Sequence, residues 1–366
     1  MKILHLPNEV AGQLGITAQA QRELGYEAFS MSSPHPFGYP FPIDMVLPNR
    51  GSRWLKGVDR VGEFFQTAEA FDVFHYYFAR SLLPWMIDAR YEKWRGKRIV
   101  TEFFGSDVRL PETEAKRNPY YVNSYHESEV VNRKRLQAWA DLTDGEVIFP
   151  DHTFNIFLEP YFDKIHVVGQ RIDCSRYAPC YPDSDTKRVR VLHAPSQQAF
   201  KGTVHIERAV ENLKRKGLEF DYIRVSGMGH AEAMNLYKTA DLIVDQLCGG
   251  AHGVFACEAM ALGKPVICYI LPELVSGYPE GFPIINANPD TIELVLEEWI
   301  QSPARLHEVG KQSRSYAERV HDVRKIASDL IRIYRKDFLL VSGNFIDWRI
   351  GADRWLPSKE SDFIQC

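Results

Sequence analysis

The stretch Gly249-Gly250-Ala251-His252-Gly253-Val254-Phe255-Ala256-Cys257-Glu258-Ala259-Met260-Ala261-Leu262-Gly263-Lys264-Pro265-Val266 decides the reading of this chain. Just upstream, 242–245 is a short apolar run of strand type. Residues 254–262 read as a helix stopped by Gly263, and 265–270 as the next strand. Strand, glycine loop, apolar helix and strand together form the repeating unit of a parallel sheet covered by helices. Glycines between a strand and a helix let backbone approach an anion without a Cβ in the way, and the helix start offers unpaired amides to it. A flexible connector is the other reading of such a loop.

The same grammar extends outward from this stretch. Before it, 231–237 reads as a helix, 220–225 as a strand, 204–216 as a helix closed by Gly217, and 188–193 as a strand. Pro, Asp and Ser cluster at 179–187, a hinge-like composition. The N-terminal half then runs through a strand at 2–6, a turn with Gly12 and Gly15, and a helix closed by Gly25. Strand-type runs follow at 71–77 and 98–104, with helix-like segments at 60–70, 82–94 and 127–140. The segment 32–48, rich in Pro, Gly and aromatics, reads as a long surface loop. The expected fold class is α/β, with two facing Rossmann-like domains at 1–180 and 188–336 and a cleft between them. The tail 337–366, with Phe338, Trp348 and Trp355, either packs back on the first domain or lies loosely.

Bulk properties agree with two domains in 366 residues. With 45% hydrophobic and 25% charged residues, the composition is that of ordinary globular protein. A formal charge of -4 supplies no global pull toward nucleic acid, so none is expected as a partner. The six cysteines are scattered without a CxxC pair, the usage of a reducing compartment, and a cytoplasmic location is expected. Neither an export signal nor a spanning segment is legible, which leaves peripheral contact with a membrane open.

Three segments stand at strand ends of the second half, where parallel sheets bind ligands. Lys201 suits a phosphate partner and Gly202 a close backbone approach, although Lys201 also reads as a solvated loop lysine. The second segment is the glycine loop before Val254. The third is Glu258, one turn into the helix: a carboxylate among Ala, Cys and Met needs donors, and vicinal sugar hydroxyls are suitable. The alternative is a helix N-terminal Glu stabilised by the dipole.

In order and spacing, these segments resemble the retaining glycosyltransferases of family 4, which have the GT-B architecture. The resemblance covers about 189–270. It implies that Lys201 contacts the donor diphosphate, that amides at Gly253 and Val254 bind the same group, and that Glu258 binds the ribose. It further implies a sugar transfer from a nucleoside-diphosphate sugar with retention of anomeric configuration, and no metal or other cofactor. The acceptor is not identified by the sequence; a saccharide, a lipid-linked glycan and a small molecule all stay open.

This chain departs from the pattern at two places. Gly250 stands where the family has a second Glu near the donor sugar, and Pro195 and Ser196 stand where an arginine is common. His252 and Asp245 are candidates for replacement contacts, with packing or capping as the other reading. Phe103-Phe104-Gly105-Ser106-Asp107 resembles the family's His-Gly-x-Asp turn, so Asp107 is a candidate to orient a sugar across the cleft, against a plain turn aspartate. Gly12 and Gly15 match the first glycine loop, on the acceptor side. His75 reads as a core histidine, and Asp183 with Asp185 as a solvated turn rather than a metal site. The rival functions are a catalytically inactive binding protein of the same fold, a nucleotide-sugar epimerase and, lacking Gly-x-Gly-x-x-Gly, a dehydrogenase.

Overall fold

The run Ile3-Leu4-His5-Leu6 is buried on both faces, as befits an interior strand of a parallel sheet. A computed structural model describes residues 1–33, 43–48, 53–123 and 128–336, with 53–55 as backbone only. Most of the 32–48 loop and the whole tail 337–366 therefore lie outside the described residues. The first half consists of β1 (Lys2–Leu6), α1 (Gln13–Glu23), β2 (Glu27–Ser32), β3 (Met45–Val46), α2 (Arg53–Thr67), β4 (Val73–Tyr77), α3 (Ile87–Trp94), β5 (Arg98–Glu102), α4 (Pro111–Arg117), α5 (Glu129–Leu142), β6 (Glu146–Phe149), α6 (Asn155–Leu158) and β7 (Lys164–Val167). Then follow β8 (Arg190–His193), α7 (Gln198–Lys201), α8 (Thr203–Arg215), β9 (Asp221–Arg224), α9 (His230–Thr239), β10 (Leu242–Val244), α10 (Val254–Ala261), β11 (Val266–Cys268), β12 (Ile285–Asn286), α11 (Ile292–Ile300), α12 (Pro303–Tyr316) and α13 (Val323–Arg335).

The first sheet has the order β3-β2-β1-β4-β5-β6-β7 and the second β12-β11-β10-β8-β9, with all pairs parallel. Each is an α/β Rossmann-like sheet with its own core. Leu4, Phe74, Phe103 and Trp139 anchor the first, and Leu192, Ile243, Met260 and Cys268 the second. The strand order reverses between β1 and β4 in the first sheet and between β8 and β10 in the second, and these reversals open the crevices where such sheets hold ligands.

The sequence division at 188–336 does not follow the packing of α13. Ile326, Leu330, Ile331 and Tyr334 pack with Ile3, Val73, Val100 and Ile148 of the first sheet. The chain thus crosses between the halves twice, and the crossings lie side by side, with Ile172 and Asp322 forming a parallel bridge. Gly169 permits this approach, since a Cβ there would stand 3.1 Å from the Val320 carbonyl oxygen. Gln13 brackets the outgoing crossing: its amide donates to the Arg171 carbonyl at 3.0 Å and its side-chain oxygen accepts the Arg171 N–H at 2.8 Å.

Under the crossings, the fully buried Arg171 guanidinium makes two 2.7 Å bonds to the two oxygens of Glu102. The Arg171 charge is the main force offsetting burial, and it holds the Glu102 carboxyl below its ordinary range. His75 completes the network, 3.3 Å from Glu102 and 2.7 Å from the Tyr334 hydroxyl. It is a core histidine whose pKa is lowered chiefly by desolvation, against the opposing pull of Glu102.

Candidate functional site

At the reversal of the second sheet, β8 leads into α7, whose last residue is Lys201, and β10 ends one residue before Asp245. The Lys201 ammonium lies 2.5 Å from Asp245 Oδ1 and 3.0 Å from Gln246 Oε1. Asp245 is buried and its Oδ2 has no hydrogen-bond partner among the described residues. Lys201 is therefore a paired, largely buried cation at a strand end rather than a solvated lysine. Gly202 has φ +73, and a Cβ there would come within 2.9 Å of Leu247, so this glycine serves a left-handed turn packed on Leu247.

The glycine loop divides into two parts. A Cβ at Gly249 would meet Gln246 at 2.7 Å and Phe200 at 2.9 Å, and one at Gly250 would meet Leu271 at 3.0 Å and Asn118 Nδ2 at 3.2 Å. Asn118 belongs to the first half and donates to the Cys248 carbonyl at 3.0 Å. The position of the family's second Glu is thus a left-handed turn, φ +74, pressed against the other half. At Gly253, by contrast, no atom of the described residues beyond its chain neighbours lies within 4 Å of a Cβ position, and α10 starts at the next residue.

α10 is apolar all round and buried, as its sequence requires. Glu258 is its one acid. Its Oε1 accepts from His230 Nε2 at 2.7 Å and from the Tyr177 hydroxyl at 3.1 Å. His252 is buried, with its ring 5.3 Å from that of Tyr278 and 5.6 Å from those of Phe282 and His321. Its Nδ1 lies 3.6 Å from Cys257 Sγ. Desolvation lowers the pKa of His252 and takes that of His321 down to about 3, while it pushes the Cys257 thiol up. His252 therefore sits in an aromatic box behind the loop.

On the first half, Asp107 Oδ1 accepts the N–H groups of Phe104 at 3.0 Å and Gly105 at 2.8 Å, which is a turn-forming arrangement. Burial pushes its carboxyl up to about 6 despite those bonds. At the first glycine loop, Gly12 has φ +81, and the buried Glu9 carboxylate accepts from Leu14 N–H at 3.2 Å and Gly15 N–H at 2.9 Å. The start of α1, the expected acceptor-side anion position, is thus filled by an internal acid whose pKa burial raises. Asp183 and Asp185 are exposed, and Asp183 Oδ1 accepts the Asp185 N–H at 3.0 Å, the turn expected of them.

The structure thus places Lys201, Asp245, Gly253, Val254 and Glu258 in the segments that follow β8 and β10 of the second sheet, and leaves Asp107 and Gly12 on loops of the first half and Gly15 in the first turn of α1. Sequence reading missed Glu9, Asn118, Tyr177 and His230. Of these only His230 carried a local signal, standing directly after the Gly227-Met228-Gly229 loop between β9 and α9. Further contacts join the halves: Tyr120 donates to Asp290 at 2.5 Å, and His152 Nε2 lies 2.9 Å from the Leu274 carbonyl oxygen. Among the described residues, no three His, Cys, Asp or Glu side chains are grouped to hold a metal ion, and no helix is long and apolar enough to cross a membrane.

No family model matches the sequence, and no curated protein does. Solved structures do match the fold. A sucrose-phosphate synthase from Thermosynechococcus elongatus superposes with a TM-score of 0.62 at 13% identity, covering 92% of this chain and 99% of that one. Anabaena HepE, solved with UDP and glucose, gives 0.61 at 14% identity over 93% and 100% of the two chains. A glycosyltransferase from Rickettsia africae gives 0.59 at 13% identity over 91% and 97%. At such identities the likeness is one of fold: two Rossmann-like sheets in the GT-B arrangement.

Proposed function

We propose that this chain is a glycosyltransferase that binds a nucleoside-diphosphate sugar through its second half and transfers the sugar to an acceptor held by the first, with retention of configuration. The observation that carries this reading is that Lys201, paired with Asp245, follows β8, while the open start of α10 at Gly253 and the buried Glu258 follow β10, the two strands between which the second sheet reverses its order. A cation and free helix-terminal amides suit a diphosphate, and a carboxylate one turn further along suits the hydroxyls of the attached ribose. Similarity to HepE, solved with UDP-glucose, supports a donor of this class.

In the proposed reaction, the acceptor oxygen bonds to the anomeric carbon on the face from which the diphosphate departs. The carbon–oxygen bond to the diphosphate breaks with its electron pair, and the acceptor's proton passes to the leaving phosphate oxygen. Lys201 stabilises the departing charge with its remaining ammonium proton, and the Gly253–Val254 amides do so as fixed dipoles; no metal is required. Asp245 holds Lys201 in place. Asn118, Tyr120 and His152 hold the two halves together.

The test is a thermal-shift and calorimetry panel of UDP-, GDP-, ADP- and TDP-sugars, followed by assay of donor turnover. Stabilisation by one donor and release of its nucleoside diphosphate are expected. Binding to none of them overturns the proposal.

A further inference from the structure

The loop glycines of the second half fall into two classes. Around Gly202, Gly249 and Gly250 the space for a side chain is filled, whereas around Gly217, Gly227, Gly229 and Gly253 no atom of the described residues beyond the chain neighbours lies within 4 Å of a Cβ position. Gly227 and Gly229 belong to the loop between β9 and α9, and Gly253 precedes α10. His230 is the first residue of α9, directly after the open pair, and Glu258 lies one turn into α10. The two side chains meet at 2.7 Å, largely buried. The contact thus ties the start of α9 to the first turns of α10 through an acid that the protein has already oriented.

We propose that His230 is a positioning residue for the ribose of the donor: it fixes the plane of the Glu258 carboxylate so that its free oxygen faces the gap between the two loops. This rests on the reading of the second half as the nucleotide-binding half. The terminal torsion of a glutamate is broad, so an unrestrained carboxylate samples many planes. Here both protein bonds, from His230 and from Tyr177, fall on Oε1, and none among the described residues falls on Oε2. Oε2 is left to accept from a vicinal diol, a pair of donors that matches a carboxylate and that a 2′-deoxy sugar lacks. Tyr177 alone, at 3.1 Å and from one side, leaves the rotation less constrained. His230 therefore acts on ribose selectivity rather than on diphosphate affinity, which Lys201 and the α10 amides carry.

The experiment measures, by calorimetry on the full chain, the affinities of UDP, GDP and ADP and of their 2′-deoxy counterparts, together with pyrophosphate. Wild type is expected to prefer the ribonucleotide by about tenfold, the loss that goes with one charge-assisted hydrogen bond. His230→Ala should cut that preference severalfold with pyrophosphate affinity unchanged. His230→Gln, whose side-chain amide reaches the place of Nε2, should restore it. If the alanine variant does not fold, His230→Asn, too short to reach Oε1, takes its place. An undiminished preference in the folded variant, or an equal loss for ribo- and deoxynucleotides, overturns the inference. So does a wild type that binds nucleotides without preferring ribose, while the donor-binding reading stands. A wild type that binds no nucleotide removes that reading itself.

Discussion

Lys201 Nζ and Asp245 Oδ1 stand 2.5 Å apart, one after β8 and the other after β10, and so bridge the two strands between which the second sheet reverses its order. Lys201 retains a small exposed tip while Asp245 has none, so the pair is asymmetric. Lys201→Ala should weaken nucleoside-diphosphate binding by about 1.5 to 3 kcal/mol. It should also destabilise the fold by about 3 kcal/mol, because it leaves a buried carboxylate uncompensated. Adding Asp245→Asn should recover the stability without recovering the binding. Denaturation and calorimetry on the three proteins check this; a single variant that is destabilised but binds like wild type leaves Lys201 with a structural role alone.

Gly250→Glu, which restores the family's residue, is expected to destabilise rather than to improve transfer. A side chain at φ +74 costs about 1 to 2 kcal/mol, and it would also press on Leu271 and Asn118. Melting temperature and donor turnover give the answer. A clear gain in transfer over an inert parent would mean that the loop lost a catalytic acid instead of being rebuilt around an interdomain contact.

Donor binding and turnover should be unchanged by EDTA, since a lysine and helix-terminal amides balance the diphosphate in the proposed site. Affinity lost in chelator and regained with magnesium or manganese would refute the metal-free arrangement.

Asp107 predicts a pH dependence. Its folded pKa of about 6 exceeds the ordinary value of 3.8, so the folded state binds its proton more tightly than the unfolded state does. The associated stability is present in full below pH 3.8 and is lost as pH rises through about 6, on the order of 3 kcal/mol. Asp107→Asn keeps an acceptor for the Phe104 and Gly105 amides and removes the titration. Relative to wild type, the variant should gain stability between pH 4 and 7 in a series of urea melts. A constant difference across that window would show that Asp107 does not titrate there.

The sequence was most legible where burial is uniform. β1 and the β10–α10–β11 stretch are largely apolar and buried, and they lie within a residue or two of where they were read. β2 and β7 were overlooked because Glu27-Ala28-Phe29-Ser30-Met31-Ser32 and Lys164-Ile165-His166-Val167 mix polar and apolar residues as edge-side strands do. Local pattern also cannot state what a helix packs on: α13 is strongly amphipathic, but nothing in 323–335 reveals that its apolar stripe belongs to a sheet formed some 150 residues earlier. Lys201 and Glu258 were found from their neighbours in the chain. Their partners Asp245, Gln246, His230 and Tyr177 are joined to them through the tertiary fold, and Glu9 resembled any loop acid until the α1 amides were placed over it.

The return of α13 to the first sheet makes that half discontinuous. The second half is an insert spliced into it between Ile172 and Asp322, held at both ends by one β-bridge. A fragment ending at 180 would leave the face of β1, β4 and β5 bare and should aggregate, whereas residues 1–173 joined by a short linker to 322–336 should stay in solution as a folded unit. The excised 173–321 piece is equally a cassette. Its two ends lie beside each other, so it can be grafted at a surface turn of another host, carrying the proposed nucleotide site with it.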